Sequence, residues 1–363
     1  KDEQEKEYAT HLKSYCAEIH LCKRPKKPWQ LNNIAKAIFS NLPFLIVRNY
    51  SKEAVEKIDS LLKNGSFDVI HAETFYIMPH IPKTTVPVLL VEQTIEYKVY
   101  QHFIASLPFF LRIPLMLDIL KLKYWEKFYW KKAQMVATVS ESDKKEIKRI
   151  LPSIEPEIIP NGAGDEMIVE KIPTHRDEVP QLLFMGNFYW LQNVEAAQYL
   201  TRKVFPELKK RLPAIQLIIA GQNAKLKIAE ETDPSIKIID LAPDDIEMVK
   251  HLYGSSTVFL APIFGPGGTR LKILASMASG LPVISTGVGV EGLGVTDKTH
   301  VLIAHSPHEF VEMAEQIIKD GSLYQEIQVN AYRHVTTHFS WKSIAKKLET
   351  VYQKVISEVE MKS

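Results

Sequence analysis

Two cations occupy a position where a helix already presents positive charge. The stretch GPGGTRLKILASMASG, residues 265–280, reads as a glycine loop feeding a helix, with Arg270 and Lys272 in the first turn. Without an anion, each costs roughly 0.3–1 kcal/mol against the helix dipole. Gly265, Gly267 and Gly268 let the backbone approach a ligand closely, and the free N–H groups of the helix start point outward. Donors, dipole and cations together describe a phosphate site. The alternative is a tight turn with solvent-facing Arg and Lys. Behind the loop, Leu271, Leu274 and Ala278, with Ile273 and Met277 beside them, form an apolar face directed at a core, and Gly280 and Pro282 stop the helix.

Neighbouring motifs narrow the kind of phosphate. No G-x-G-x-x-G follows the strand before MGNFYWLQN, residues 185–193, which offers a single glycine, so a nicotinamide or flavin cofactor is disfavoured. The P-loop pattern is missing as well. No Asp-x-Asp occurs, and a metal on a diphosphate has no evident carboxylate pair. The charge must then be met by backbone and basic side chains, and neither cofactor nor metal is expected.

The elements that must hold this loop alternate between short apolar runs and helical patterns, as parallel sheets covered by helices require. In the first half the strand candidates are EIHLCK, FDVIHAE, VPVLLVEQ and MVATVS; a second series runs from LLFMGN through IQLIIAG, IKIIDLA, TVFLAPI and LPVIST to HVLIAH. At 363 residues two domains are expected. The fold class is α/β, with two doubly wound, Rossmann-like domains and a cleft between them. The division reads as 1–169, a linker at 170–180, 181–338, and a closing helix over 339–363. Net charge is +2 with 24% charged residues, which gives no argument for nucleic acid. Two cysteines, Cys16 and Cys22, are too few for a disulfide scaffold and favour a reducing cytoplasm. The opening KDEQEKEYATHLKSYC has no initiator Met, signal segment or first strand: either a piece is missing or the sequence starts inside a domain. Residues 103–132 combine FIASLPFFLRIPLMLDIL with a run of Lys and aromatic residues: either a helix packed in its own domain or a peripheral contact with the inner face of an anionic membrane.

Taken together, GPGGTRLKILASMASGLPVISTGVGVEGL, VIHAE, VATVSESDKKEI, EIIPNGAGDE, LLFMGNFYWLQNVEAAQYL and HFSWKSIAKKLETVY resemble the bacterial GT-B glycosyltransferases of the family-4 type. The resemblance runs in order from about residue 15 to 357. It implies a nucleotide-sugar donor gripped mainly by the C-terminal domain, a saccharide or lipid-linked acceptor, and transfer with retention and without metal. Gly267, Gly268 and Thr269 would cradle the diphosphate, and Arg270 and Lys272 would neutralise it. Pro243 and Asp244 match the loop that meets the nucleobase, Gly186 and Asn187 the first loop of the domain, and Glu291 lies in the matching GVGVEGL turn. Gln93 sits where relatives commonly place an active-site His; His71, Glu73, Glu92 and Glu96 fall on the acceptor side.

Three departures stand out. Ala275 replaces the Glu that holds the ribose hydroxyls in relatives, and no acidic residue between Glu247 and Glu291 can substitute. Losing that interaction costs about 1.5–3 kcal/mol, or ten- to a hundredfold in donor affinity. Asn187, Gln192 and Asn193 stand where many relatives carry Arg and Lys, which leaves more of the diphosphate charge to Arg270 and Lys272. The family's first strand and Gly-rich loop do not precede Lys1, and the loss of a central strand should leave a sheet edge unpaired. The expected function is a glycosyltransferase in polysaccharide or glycoconjugate biosynthesis. The alternatives are a non-catalytic subunit of the same fold, or a sugar-nucleotide epimerase, which would need acid and base carboxylates such as Glu92 and Glu96 facing the sugar.

Overall fold

Apolar runs without a polar face, such as LLFM at 182–185 and LIIA at 217–220, suit strands buried on both sides. They form parallel sheets in a computed structural model, which describes residues 9–10, 12–24, 29–105, 107–173, 179–228, 233–265 and 270–360. The chain divides into two units, one comprising Lys1–Val139, Asp143–Ile158 and Glu349–Ser363, the other Ser140–Ser142 and Ile159–Leu348.

In the first unit, helices α1 (Leu31–Phe39), α2 (Phe44–Asn49) and α3 (Lys52–Asn64) precede strands β1 (Ile70–Glu73) and β2 (Val88–Glu92). Helices α4 (Glu96–Ala105) and α5 (Phe109–Lys132), strand β3 (Met135–Thr138), helix α6 (Glu141–Ile150) and strand β4 (Glu157–Ile158) follow. The sheet order is β1-β2-β3-β4, all parallel, with His71 opposite Leu89 and Glu73 opposite Val91. Leu90 and Val136 from the sheet pack with Phe75, Ile119, Leu122 and Trp130 in its core. EIHLCK forms no strand. Its last residue is held by the start of α3 instead: Lys23 N donates to the Glu53 carboxylate at 2.9 Å, and the Ser51 hydroxyl donates to Lys23 O at 2.6 Å.

The second unit begins with β5 (Gln181–Met185) and α7 (Leu191–Tyr199), which runs through a wide turn at Leu200–Val204 into α8 (Phe205–Arg211). Then come β6 (Gln216–Gly221), α9 (Ala224–Lys227), β7 (Ile236–Asp240), α10 (Ile246–Ser255), β8 (Val258–Ala261), α11 (Leu271–Ala278), β9 (Val283–Ser285), β10 (Leu302–Ile303), α12 (Pro307–Lys319) and α13 (Gly321–His338). The last helix, α14 (Trp341–Glu360), starts in this unit and is grouped with the first from Glu349 onward. The six strands lie in the order β10-β9-β8-β5-β6-β7. Asp245 caps α10 by accepting from Met248 N, and on α12 the Ser306 hydroxyl accepts from Glu309 N while the Glu309 carboxylate accepts from His305 N.

Residues 159–169, read from sequence with the first domain, pack with the second unit: Ala163 N donates to Phe339 O at 2.9 Å, and Met167 is in its core. The start of the linker is fastened there too, since the Gln328 amide donates to both Pro173 O and Gly280 O. Residues 174–178 of that linker lie outside the described residues. In α11, residues Ile273 to Ala278 are all buried against the sheet and α13, whereas Leu271, expected on the core face, is half exposed.

One backbone approach positions the strand ends. Gly221 closes β6 with φ +143°, and a Cβ there would stand 1.8 Å from Gly186 O in the loop after β5. No side chain fits, and L residues avoid that φ. Gly221→Ala should therefore lower the unfolding free energy by about 2 kcal/mol or more, readable in urea titrations of the two proteins.

Candidate active site

Because the chain fills the sheet outward from β5, first through β6 and β7 and then through β8, β9 and β10, the strand order reverses between β5 and β8. A doubly wound sheet opens a crevice at such a reversal, outside the carboxyl ends of the strands. The loops that leave β5 and β8 carry Gly186 and Asn187 on one side and the approach to Arg270 and Lys272 on the other.

Arg270 is buried at the N-cap of α11 and donates through Nη2 to Gly265 O at 2.6 Å, with Nη1 3.5 Å from Gln192 Oε1. The Lys272 amine lies 4.9 Å from the centre of the Phe184 ring and donates to Asn193 Oδ1. Burial, and secondarily the Arg270 charge, bring its pKa down to about 7. Asn193 donates from its other amide atom to Asn187 O at 2.7 Å, and Asn187 donates to Gln222 Oε1 at 2.7 Å. An amide chain therefore ties Lys272 to the loops after β5 and β6. Gly186 is needed for this, since a Cβ there would come within 2.9 Å of both the Asn193 side chain and the lysine amine. Gly267, Gly268 and Thr269 lie outside the described residues.

The remaining donor-side candidates are more loosely held. Pro243 and Asp244 are exposed in the loop before α10, and Glu291 is exposed in the turn after β9. Ala275 is buried within α11 and presents only a methyl group.

At the strand ends of the first unit, four side chains form a line. Tyr352 from α14 and His71 Nδ1 are 2.6 Å apart, His71 Nε2 is 2.9 Å from Glu73 Oε1, and the Gln93 amide donates to Glu73 Oε2 at 2.8 Å. With Glu73 ionised, His71 carries its proton on Nε2 and accepts from the Tyr352 hydroxyl. Burial is the largest single influence on Glu73 and pushes its pKa up, but the bonds from His71 and Gln93 outweigh it and leave the carboxyl below its ordinary value. The hydroxyls of Thr74 and Thr94, at the ends of β1 and β2, are buried without a hydrogen-bond partner.

Glu92, read from sequence as facing the acceptor, is sealed in the core. It accepts from Trp130 Nε1 at 2.7 Å and Phe75 N at 3.2 Å, and burial, with help from Glu96 and Asp143, lifts its pKa to about 8. Buried Glu126 accepts from Glu96 N and Tyr97 N at the start of α4, and its pKa is well above the usual range because of burial and its acidic neighbours. Glu96 is half-buried, and its pKa rises to about 7, burial outweighing the attraction of Arg48. Glu92 offers no atom to a ligand, which removes one of the two carboxylates that epimerisation would require.

Residues 179–320 match the family described as glycosyl transferases group 1. This stretch contains the reversal of strand order, the amide chain and both cations. Over that stretch the chain is similar to the group 1 glycosyltransferases. An uncharacterised 44.6 kDa protein in the cps region of Klebsiella pneumoniae is 27% identical over 358 residues, 94% of this chain and 86% of that one. An uncharacterised glycosyltransferase of Methanocaldococcus jannaschii is 28% identical over 60% of this chain and 59% of its own length. Among solved structures, sucrose-phosphate synthase from Thermosynechococcus elongatus superposes with a TM-score of 0.64 at 16% identity, over 84% of this chain and 78% of that one, and shares the GT-B fold. In this glycosyltransferase the Lys272–Asn193–Asn187–Gln222 chain stands where sequence suggested only a shortage of cations. Tyr352 gave no signal beyond lying in the final helical segment.

The lowered pKa of Lys272 makes anion binding draw in a proton. Between about pH 7 and the ordinary lysine range the empty site holds a neutral amine, and a bound diphosphate favours the ammonium form. Nucleoside diphosphate affinity should be flat below pH 7 and weaken above it by up to about tenfold per pH unit. Calorimetry in buffers of different ionisation enthalpy should register the proton uptake in the wild type and not in Lys272→Met.

Proposed function

We propose that this glycosyltransferase moves a sugar from a nucleotide-sugar donor to a saccharide or lipid-linked acceptor, with retention at the anomeric carbon and without a metal, in polysaccharide or glycoconjugate synthesis. The observation that carries the reading is the pair of desolvated basic side chains at the start of α11, set at the strand reversal, with Arg270 on the Gly265 carbonyl and Lys272 on the Asn193 amide oxygen. A departing diphosphate is the anion that such a site suits. As the bond from the anomeric carbon to the diphosphate oxygen breaks, Arg270, protonated Lys272 and the helix-start N–H groups take up the developing charge. The acceptor hydroxyl attacks from the face that the diphosphate leaves, and its proton passes to the departing phosphate oxygen. Gln93, Glu73 and His71 are proposed to orient that hydroxyl. The place of the Klebsiella relative in a cps region supports the polysaccharide assignment, and low cysteine content supports the cytoplasmic side of the membrane.

Ala275 favours a second reading, a subunit of the same fold that binds without turnover. A panel of nucleotide sugars with mono- and disaccharide acceptors separates the two: transfer with a retained anomer by NMR, insensitive to EDTA, supports the enzyme, whereas no turnover with any donor supports the subunit. Arg270→Ala should cut kcat/KM about a hundredfold; unchanged kinetics would remove the diphosphate from this helix. Ala275→Glu should tighten nucleotide binding about ten- to a hundredfold by isothermal titration, and no gain would mean that the ribose lies elsewhere.

A further inference from the structure

Helix α5 is apolar on two opposite faces. Its inner face puts Ile119, Leu122 and Trp130 into the core of the first unit. Its outer face carries Phe109, Ile113, Met116, Leu117, Leu120 and Tyr124, spaced i, i+4, i+7, i+8, i+11 and i+15, and all are open to water, with Phe109 75% and Leu120 59% exposed. A helix apolar all round belongs in an interior, so the outer stripe needs a second apolar phase. Helix α1 repeats the pattern: Leu31, Ala35, Ile38 and Phe39 follow i, i+4, i+7 and i+8, and Phe39 is 89% exposed. The two stripes adjoin, because Lys121 Nζ donates to Ala37 O and Ser40 O at the end of α1, and Trp125 Nε1 donates to Asn41 O.

Charge identifies the occupant. The outer stripe of α5 continues after Tyr124 into Lys127 and Lys131, at i+3 and i+7, on the same side of the helix. Its two acids are turned away: Asp118 accepts from Phe44 N, and Glu126 is buried at the cap of α4. Helix α1 contains Lys36 and no acid. The exposed apolar surface is thus accompanied on its own helices by positive charge alone. No helix among the described residues is long and apolar enough to cross a membrane, so the match is to a surface that offers hydrocarbon and negative charge side by side.

We propose that α1 and α5 form a docking face that lies on an anionic lipid bilayer, with the stripes in the headgroup region and Lys127 and Lys131 on acidic headgroups. The proposal goes beyond the glycosyl-transfer reading and shares no residue with it. Its test is co-sedimentation with vesicles of phosphatidylcholine, with or without phosphatidylglycerol, alongside sedimentation velocity of the protein alone. The wild type should pellet with phosphatidylglycerol vesicles, less so at high salt, and remain in solution with phosphatidylcholine alone. Lys127→Glu/Lys131→Glu should weaken binding by at least about twentyfold, since each lysine near such a surface contributes roughly fivefold. Leu117→Asp/Leu120→Asp should abolish it while circular dichroism stays unchanged, as exposed positions permit. Equal pelleting of wild type and both variants overturns the proposal. So does a stable dimer in solution that Leu117→Asp/Leu120→Asp dissociates, because a second copy would then cover the face.

Discussion

The arrangement around the crevice at the strand reversal follows from holding two basic side chains, Arg270 and Lys272, away from water. Arg270 resolves this by giving its guanidinium to the Gly265 carbonyl, a dipole rather than an ion. Lys272 resolves it with an amide and an aromatic face, partners that stabilise a cation without cancelling it. The geometry of the second unit preserves these contacts. The loop after β5 must pass close enough to seat Asn193 against the amine, which requires no Cβ at Gly186, and the loop after β6 must pass Gly186 in turn, which requires none at Gly221.

The two units treat their buried charges differently. In the second, the desolvated groups are bases, Arg270 on a backbone carbonyl and Lys272 on an amide oxygen. In the first, Glu92, Glu96 and Glu126 crowd the carboxyl end of β2 and the start of α4, and burial favours their protonated forms. Glu73, a few residues away, goes the other way because two donors reach it. One sheet edge therefore holds an ionised carboxylate on its surface and neutral carboxyls beneath it. The surface one can accept hydrogen bonds from a hydroxyl; the deeper ones serve the folding of α4 and the seating of Trp130.

Strands β5, β6 and β8 were legible because burial on both faces forces uninterrupted apolar runs. EIHLCK is broken by Glu18, His20 and Lys23 and forms no strand; the backbone of its last residue, Lys23, bonds instead to the side chains of Ser51 and Glu53, some thirty residues on. Arg270 and Lys272 were legible because the penalty of a cation at a helix start is local and visible in one turn. The amide chain was not: Asn187, Asn193 and Gln222 meet through loop geometry, which leaves no spacing rule in the sequence. Tyr352 lies 281 residues from His71, beyond any local pattern. Glu92 misled because a strand-end carboxylate looks the same whether it faces a ligand or the indole of Trp130.

The two-faced helix has a consequence for handling the protein in solution. Lys127 and Lys131 add positive charge beside an apolar stripe that is open to water. Added salt screens the first and, with sulfate or phosphate, favours burial of the second. Colloidal stability should therefore fall as ionic strength rises, the reverse of proteins whose solubility is limited by attraction between opposite charges, and a dilute, low-salt buffer is the medium in which this chain should stay dispersed.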